Sequence, residues 1–155
     1  MVYMEKENKK VVIGGTFDIL HKGHEAFLNK AFGLGEVFIG LTSDEMALKT
    51  KRRKVQNFEI RKKELRDFIE NNLKSNYRIG KIENKFGPTL NEDFDYIVVS
   101  PETYKTALII NKERQKINKK SIEIIEIEFI LAQDGKPISS TRILKGKIDR
   151  EGKIL

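Results

Sequence analysis

The stretch 11-VVIGGTFDILHKGHEAFL-28 decides the fold of this chain. It runs from an apolar segment through Gly14 and Gly15 into a turn with two histidines, His21 and His24, which are the only histidines in the sequence. A short β-branched run that ends in glycines predicts a buried strand, and the apolar spacing after His24 predicts a helix. This order of strand, turn and helix is typical of an α/β fold.

The rest of the chain continues the alternation of strand and helix. The apolar pattern predicts strands at residues 11–14, 36–41, 77–82, 95–100 and 122–127, and helices at residues 24–32, 44–49, 61–73, 102–119 and 139–145. Continuous apolar strands predict a five-stranded, mostly parallel sheet with helices on both faces, a Rossmann-like three-layer sandwich. Without an internal repeat or linker, 155 residues predict a single domain over residues 1–155.

Composition excludes several classes of protein. The chain has no cysteine, which excludes disulfides and thiolate metal sites. It has no apolar run near the roughly 18–20 residues of a membrane span, and its N-terminus has no secretory-type segment, so a cytoplasmic location is expected. The net charge of +7 predicts an anionic partner: nucleic acid, a membrane surface or a phosphorylated metabolite. Residues 49–54 and 112–120 concentrate this charge, although solvated surface lysines also give such runs.

Ligands of a parallel sheet bind beyond the carboxyl ends of its strands, so we expect the functional residues in the turns that follow the predicted strands. The turn after the first strand lacks both G-x-G-x-x-G and the P-loop pattern, which disfavours a dinucleotide site and a P-loop. It carries glycines that let a ligand approach the backbone, and its histidines stand at a predicted helix start, where free N–H groups attract phosphate. The positive end of the helix dipole disfavours a protonated imidazole, so His21 and His24 are expected to be neutral donors.

The spacing of the histidines alone leaves alternatives open. His21 could cap the turn while His24 packs on the helix. A metal pair is weaker, because no H-E-x-x-H pattern or further ligand accompanies them. Covalent catalysis by serine or cysteine has no support, because the chain has no third histidine to act as a base elsewhere and no cysteine.

Residues 14–24, GGTFDILHKGH, resemble the signature of the HxGH nucleotidylyltransferases, which transfer a nucleoside monophosphate from a nucleoside triphosphate and release pyrophosphate. Three further segments resemble archaeal and eukaryotic phosphopantetheine adenylyltransferases: 95-DYIVVSPETYKTALIINKERQ-115, 86-FGPT-89 and 138-ISSTRI-143. The resemblance implies coenzyme A biosynthesis, in which ATP and 4′-phosphopantetheine give dephospho-CoA and pyrophosphate with Mg²⁺, and it implies dephospho-CoA or CoA as further ligands. A phosphate nucleophile is already anionic at pH 7, so the site needs positioning and charge neutralisation rather than a general base, and few carboxylates.

The resemblance also implies site residues. The catalytic residues would be His24, which binds the α-phosphate, and Lys49, which orients the acceptor phosphate, with Lys51 as a close competitor. The nucleotide would be bound by the turn residues Gly15, Thr16, Phe17 and His21 and by the last helix start, Ser139, Ser140, Thr141 and Arg142. No protein ligand to a metal is implied.

One departure from the pattern concerns the acceptor phosphate. Bacterial relatives carry an arginine after the fourth strand, where this chain has Ser100-Pro101-Glu102. The candidates to replace that arginine are Lys49, Lys51, Arg53 and Arg61, while Asn111 and Arg114 are expected on a helix that faces the site. The alternatives are another nucleotidylyltransferase, such as an FAD synthetase or a glycerol-3-phosphate cytidylyltransferase, and, from a different class, a nucleic-acid-binding protein. The sequence does not indicate an oligomeric state.

Overall fold

The computed structural model describes residues 9–155, and residues 1–8 lie outside the described part. The strands are β1 (Lys10–Gly15), β2 (Glu36–Thr42), β3 (Tyr77–Ile82), β4 (Tyr96–Val99) and β5 (Glu123–Glu126). The helices are α1 (Lys22–Phe32), α2 (Asp44–Lys51), α3 (Phe58–Asn72), α4 (Tyr104–Lys116) and α5 (Ser140–Leu144). The single domain over residues 1–155 stays a prediction.

The five strands form one sheet in the order β3-β2-β1-β4-β5, and every pair is parallel. Strand β1 is central, since Val11 pairs with Val37 of β2 on one side and with Tyr96 of β4 on the other. The chain moves outward from β1 to β3 and then returns to build the other half of the sheet. A crevice for a ligand is expected at this reversal, beyond the carboxyl ends of β1 and β4.

Two apolar clusters cover opposite faces of the sheet. Val11 and Ile13 of β1 belong to the cluster that contains Leu65 of α3, as well as side chains of α1. Val12, between them, points the other way and belongs to the cluster that contains Ile110 of α4. Successive side chains of a strand point to opposite faces, so a central strand with helices on both sides is apolar throughout. The predicted three-layer α/β fold is confirmed.

Side-chain caps decide where the helices begin, and the apolar pattern located these starts only approximately. Ser43 Oγ accepts a hydrogen bond of 3.1 Å from the N–H of Met46 at the start of α2. Asn57 Oδ1 accepts one of 3.0 Å from the N–H of Ile60, so α3 begins at residue 58 and not at residue 61. Helix α2 also runs to residue 51, two residues beyond its predicted end at residue 49.

Two other helices differ from their predicted bounds. Helix α1 begins two residues before His24, because His21 is its N-cap. Helix α4 spans only residues 104–116, because Asn118 adopts a left-handed backbone conformation (φ +60°) in which a helix cannot continue. Among residues 9–155, no helix is both long enough and apolar enough to cross a membrane.

Candidate active site

A cavity of about 480 Å³ opens beyond the carboxyl ends of the central strands, where the sheet topology predicts a ligand. The turns after β1, β2, β3, β4 and β5 all contribute to its lining, as does the start of α5. Seven of the ten residues predicted for the site line this cavity: Gly15, Thr16, Phe17, His21, His24, Ser139 and Ser140. The other three, Lys49, Thr141 and Arg142, do not line it.

The turn after β1 folds the buried ring of Phe17 back over Gly15. Phe17 has a positive φ of 49°, which is uncommon for a residue with a side chain. A Cβ at Gly15 would lie 2.8 Å from Cε2 of that ring, so only glycine fits at this position. The ring centroid of Phe17 lies 5.3 Å from that of His24. The second glycine of the motif therefore gives space to an aromatic ring that packs beside the histidine.

Thr16 lies between Gly15 and Phe17, and a buried arginine binds its backbone carbonyl. Arg61 is fully buried, and its Nη1 donates to the carbonyl of Thr16 (3.0 Å) and to Oγ1 of Thr42 (3.3 Å). Its other bonds go to the carbonyl of Gln56 (2.7 Å) and to Oδ1 of Asp44 (3.0 Å). The structure thus corrects the expectation that Arg61 is a candidate for the acceptor phosphate, because its guanidinium is bound within the fold and does not line the cavity.

The two histidines cap helix α1 and also face the cavity. Nδ1 of His21 accepts from the N–H of Gly23 (3.0 Å), and Nδ1 of His24 accepts from the N–H of His21 (3.3 Å). Their rings stack with centroids 3.8 Å apart. A Cβ at Gly23 would lie 2.9 Å from Cε1 of His21, so the glycine between the histidines is required by this packing. The capping alternative is therefore correct for His21, and it does not exclude a role in binding.

Both imidazoles are neutral near pH 7. Burial lowers the pKa of His21 to about 4, and the positive charges of Lys51 and Arg150 act in the same direction. Burial also lowers the pKa of His24 well below its ordinary value, with smaller effects of His21 and Lys51. Since Nδ1 of each ring accepts a hydrogen bond, the single proton of each neutral ring is on Nε2. The expectation of two neutral donors thus agrees with the burial, charges and hydrogen bonds around the rings.

Of the two lysines of α2, Lys51 lines the cavity and Lys49 does not. Lys49 lies on the exposed side of the helix, where its Nζ is 3.3 Å from Oε1 of Glu45 and its side chain is 77% exposed. Lys51 lines the cavity, and its charge contributes to the lowered pKa of both histidines. The role of Lys49 stays a prediction, but the geometry favours Lys51 as the lysine that reaches a bound phosphate.

Arg53 joins three segments of the site. Its Nη1 forms a 2.9 Å ion pair with Oδ2 of Asp18, whose side chain is almost completely buried. Its Nε and Nη2 donate to the hydroxyls of Thr141 and Ser140, each at 3.1 Å. Arg53 therefore ties the turn after β1 to the start of α5, and it does not line the cavity.

The start of α5 brings only part of its motif to the cavity. Ser139 is the N-cap, and its Oγ accepts from the N–H of Arg142 (3.2 Å). The guanidinium of Arg142 turns away, since it pairs with Asp134 and donates to the carbonyl of Pro137 (3.1 Å). Ser139 and Ser140 thus face the ligand space, whereas Arg142 stabilises the preceding turn.

Helix α4 holds its neighbours with two polar side chains. Arg114 is buried and donates to the carbonyls of Thr89 (2.5 Å) and Glu92 (3.0 Å), which fixes the loop after β3 that lines the cavity. The amide of Asn111 exchanges two hydrogen bonds with the backbone of Ile122, at 2.8 and 2.7 Å. Helix α4 does face the site, through Thr106, Ala107 and Ile110, but the side chains of Asn111 and Arg114 are engaged by backbone groups and do not line the cavity.

Two carboxylates on the lining were not expected for a site that handles phosphates. Glu102 follows β4 and Glu128 follows β5, and both line the cavity together with the buried hydroxyl residue Thr42. Ligands bind beyond the carboxyl ends of parallel strands, which predicted the turns that contain all three residues. It did not predict which side chains of those turns line the cavity. In residues 9–155, no group of three or more His, Cys, Asp or Glu side chains could hold a metal ion.

Comparisons with known proteins agree with this fold. The family model described as cytidylyltransferase-like matches residues 12–146. A phosphopantetheine adenylyltransferase of Methanosarcina acetivorans is 51% identical over 150 residues, which cover 94% of this chain and 95% of the relative. One from Pyrococcus horikoshii is 49% identical over 150 residues, which cover 95% of each.

The chain belongs to the phosphopantetheine adenylyltransferase family. It is therefore a nucleotidyltransferase, as the motifs predicted. A crystal structure of a protein of unknown function from Archaeoglobus fulgidus, 42% identical, covers 76% of this chain and 88% of its own with a TM-score of 0.72. In this member of the phosphopantetheine adenylyltransferase family, the four motifs that carried the resemblance all contribute residues to one cavity.

Proposed function

We propose that the chain transfers the adenylyl group of ATP to the phosphate of 4′-phosphopantetheine, which gives dephospho-CoA and pyrophosphate. The observation that carries this proposal is the pair of neutral histidines at the N-terminus of α1, with both Nε2–H groups available to a ligand in the cavity. The reaction itself comes from the relatives, which are named phosphopantetheine adenylyltransferases.

The site supports attack by an anion without a general base. A phosphate oxygen of the acceptor forms a bond to the α-phosphorus of ATP, and the bond from that phosphorus to the bridging oxygen of the β-phosphate breaks. Pyrophosphate leaves with the electron pair, so no proton has to be removed from the nucleophile. Both imidazoles stay neutral near pH 7, so they have no extra proton to pass to the acceptor, and hydrogen-bond donation from Nε2–H is their contribution.

His24 is the donor that we assign to the α-phosphate. It is the third residue of α1, so the free N–H groups and the positive end of the helix dipole lie beside it. Its ring is fixed by the stack on His21 and by Phe17, and a fixed donor requires no rearrangement as negative charge develops on the phosphoryl oxygens. His21, on the same face, would bind the oxygens of the β- or γ-phosphate.

The first turn would complete the phosphate site. Gly15 exposes backbone to the cavity and Phe17 orders the turn, so both act by shaping it. Thr16 contributes its hydroxyl, which lies on the lining.

Lys51 is the cation that we assign to the acceptor phosphate, in preference to Lys49. It lies on the last turn of α2, lines the cavity and is close enough to both imidazoles to affect their pKa. A lysine in this position brings a positive charge toward both reacting phosphates, which offsets their repulsion. Lys49, with Glu45 as its partner, remains the alternative.

The hydroxyls of Ser139 and Ser140, at the start of α5, would bind the pyrophosphate portion. Thr141 would contribute through the bond that Arg53 makes to its hydroxyl, and Arg142 by holding the turn before α5 in place. We therefore assign Thr141 and Arg142 to the support of the binding segment rather than to direct contact.

One apolar wall of the cavity fits an acceptor with an uncharged arm. Apolar side chains of the loop after β3, of β4 and of α4 line that part of the cavity: Phe86, Pro88, Val99, Ala107 and Ile110. An acceptor with a phosphate at one end and a long, weakly polar chain would place its phosphate beside Lys51 and its chain along this wall.

Mg²⁺ fits the site as part of the ATP complex. Residues 9–155 offer no cluster of protein ligands, so the triphosphate oxygens would hold the ion, which neutralises part of their charge. We also propose a cytoplasmic location, where ATP and the acceptor are available.

A direct assay separates this proposal from its alternatives. The full chain is incubated with ATP and Mg²⁺ and with one of three acceptors: 4′-phosphopantetheine, pantetheine without the phosphate, or FMN. A fourth reaction contains CTP and glycerol 3-phosphate. Pyrophosphate release and the nucleotide product are followed by chromatography. Pantetheine is the matched control, because it differs from the proposed acceptor only in the nucleophile.

The proposal expects dephospho-CoA from 4′-phosphopantetheine and no turnover with the other acceptors. Turnover only with FMN, or only with CTP and glycerol phosphate, would overturn it in favour of another nucleotidylyltransferase. Salt-sensitive binding of RNA without pyrophosphate release from ATP would favour the nucleic-acid-binding alternative.

A further inference from the structure

A chain of hydrogen bonds connects the buried arginine of α3 to the cavity. Arg61 donates from Nη1 to Oγ1 of Thr42 (3.3 Å), and the hydroxyl of Thr42 donates to Oγ1 of Thr16 (3.1 Å). All three side chains are buried, and the two threonines lie on the cavity lining while the arginine does not. The residues are 19 to 45 positions apart in sequence, so only the fold brings them together.

The direction of these two hydrogen bonds decides where the hydroxyl proton of Thr16 points. A hydroxyl has one proton and two lone pairs. The lone pairs of Thr42 receive the guanidinium N–H, and its proton goes to Thr16. Thr16 therefore accepts from inside the protein and has its own proton left over. In the described part of the chain, that proton has no acceptor, although Thr16 is 94% buried on the wall of the cavity.

The charge of Arg61 strengthens this last donor. Its one carboxylate partner, Asp44, is 60% exposed, so water screens that carboxylate while the guanidinium itself is fully buried. One of its N–H groups donates to Thr42, whose own hydroxyl donates to Thr16 on the cavity lining. Successive hydrogen bonds in a buried chain polarise one another, so a cation at the inner end makes the outermost hydroxyl a better donor.

We propose that Arg61 and Thr42 are positioning residues that make the hydroxyl of Thr16 a committed donor to a substrate phosphate oxygen. The carbonyl of Thr16 is fixed by the same guanidinium nitrogen, at 3.0 Å, so the residue is held at both ends. Arg61 thereby stabilises the negative charge of the phosphates without contacting the substrate. The inference rests on the proposed function only in that the ligand is taken to carry phosphate groups.

A double-mutant cycle in the full-length protein tests this series of hydrogen bonds. The variants are Thr16→Val, Thr42→Val and the double substitution, each of which replaces a hydroxyl by a methyl group of similar size. Thr42→Ser is the matched control, because it keeps the hydroxyl and removes only the methyl. Arg61 is left unchanged, since its loss would leave the carbonyls of Thr16 and Gln56 without their donor. kcat and KM are measured by pyrophosphate release, and thermal melts show whether each variant folds.

The proposal expects Thr16→Val to lower kcat by about 100-fold, the scale of one lost phosphate donor. Thr42→Val should lower kcat roughly tenfold while the KM for ATP changes by less than about threefold, because the hydroxyl of Thr16 is then free to rotate. The double variant should be no worse than Thr16→Val alone, and Thr42→Ser should stay within about threefold of the parent. If Thr42 only stabilised the fold, Thr42→Val would lower kcat by the same factor whether or not Thr16 is replaced by valine.

Several outcomes would overturn the proposal. The losses of the two single variants could multiply in the double variant, or a folded Thr42→Val could retain kcat within twofold of the parent. If Thr42→Val does not fold, Thr42→Ala replaces it, and loss of cooperative unfolding in both would assign Thr42 to the fold alone. Calorimetry with ATP shows separately whether the parent chain binds the nucleotide. A parent chain that binds ATP but makes no dephospho-CoA would overturn only the proposed reaction.

Discussion

Replacement of His24 by alanine removes the donor that we assign to the α-phosphate. Its Nδ1 is engaged by the backbone of His21, and its Nε2–H faces the cavity. Loss of one such donor costs about 10²–10³ in kcat, or roughly 3–4 kcal/mol of transition-state stabilisation. We expect KM for ATP to change less than kcat, because the interaction strengthens as charge develops.

The same substitution also removes contacts that stabilise the fold. The stack on His21, with centroids 3.8 Å apart, contributes about 0.5–1.5 kcal/mol, and the cap contributes about 1 kcal/mol. For a chain of this size, about 2 kcal/mol lowers Tm by roughly 4–8 °C. Activity should therefore be assayed well below the melting temperature of the variant, so that the fraction unfolded does not enter the rate.

The assay compares His24→Ala with His24→Gln, whose side-chain amide offers an uncharged N–H donor. Initial rates of pyrophosphate release give kcat and KM for both, and thermal melts give the stability. We expect the glutamine variant to recover part of the rate, to within roughly tenfold of the parent. A kcat for His24→Ala within about threefold of the parent would refute the role of this histidine.

Three further predictions concern the surroundings of the histidines. Gly23→Ala places a Cβ 2.9 Å from the ring of His21, so we expect a roughly tenfold loss of kcat and a lower Tm, and unchanged kinetics would contradict the packing argument. Lys51→Ala should raise KM for 4′-phosphopantetheine about tenfold and more than Lys49→Ala does, whereas the reverse order in the same titration would favour Lys49. The folded pKa of His21, about 4, lies below its unfolded value of 6.5, so the unfolded state binds more protons between these values and stability falls as pH falls through this window. Urea melts at pH 7 and pH 5 should show a loss of about 2 kcal/mol due to His21, which His21→Gln removes, and equal stability at both pH values would contradict the buried neutral state.

The strands could be predicted closely from the sequence, whereas the polar contacts could not. Strand β3 has the predicted bounds, residues 77–82, and these are the residues that pair with β2. The start of α3 was placed three residues late, since the periodic apolar residues begin only after the cap at Asn57. Periodicity reports which face is buried, but a cap depends on one hydrogen bond at the helix end.

Within the site, short-range features were predictable and long-range ones were not. The histidine turn lies within one motif, so its helix start and its neutral rings follow from local chemistry. The sequence makes Arg61 one of the candidates for the acceptor phosphate, whereas the structure buries it completely. Its partners, Thr16 and Thr42, lie 45 and 19 residues away, and no local pattern shows that a fold will bring them together.

The central claim is that two neutral imidazoles donate from Nε2 to phosphate. The chain has only two histidines, so nitrogen-detected NMR of the ring signals tests it with little overlap, and the His21→Gln variant assigns them. We expect both rings to carry their proton on Nε2 from pH 6 to pH 8, to shift when ATP is added, and His21 to titrate near pH 4. Rings that titrate near 6.5, or that carry the proton on Nδ1, would contradict the account.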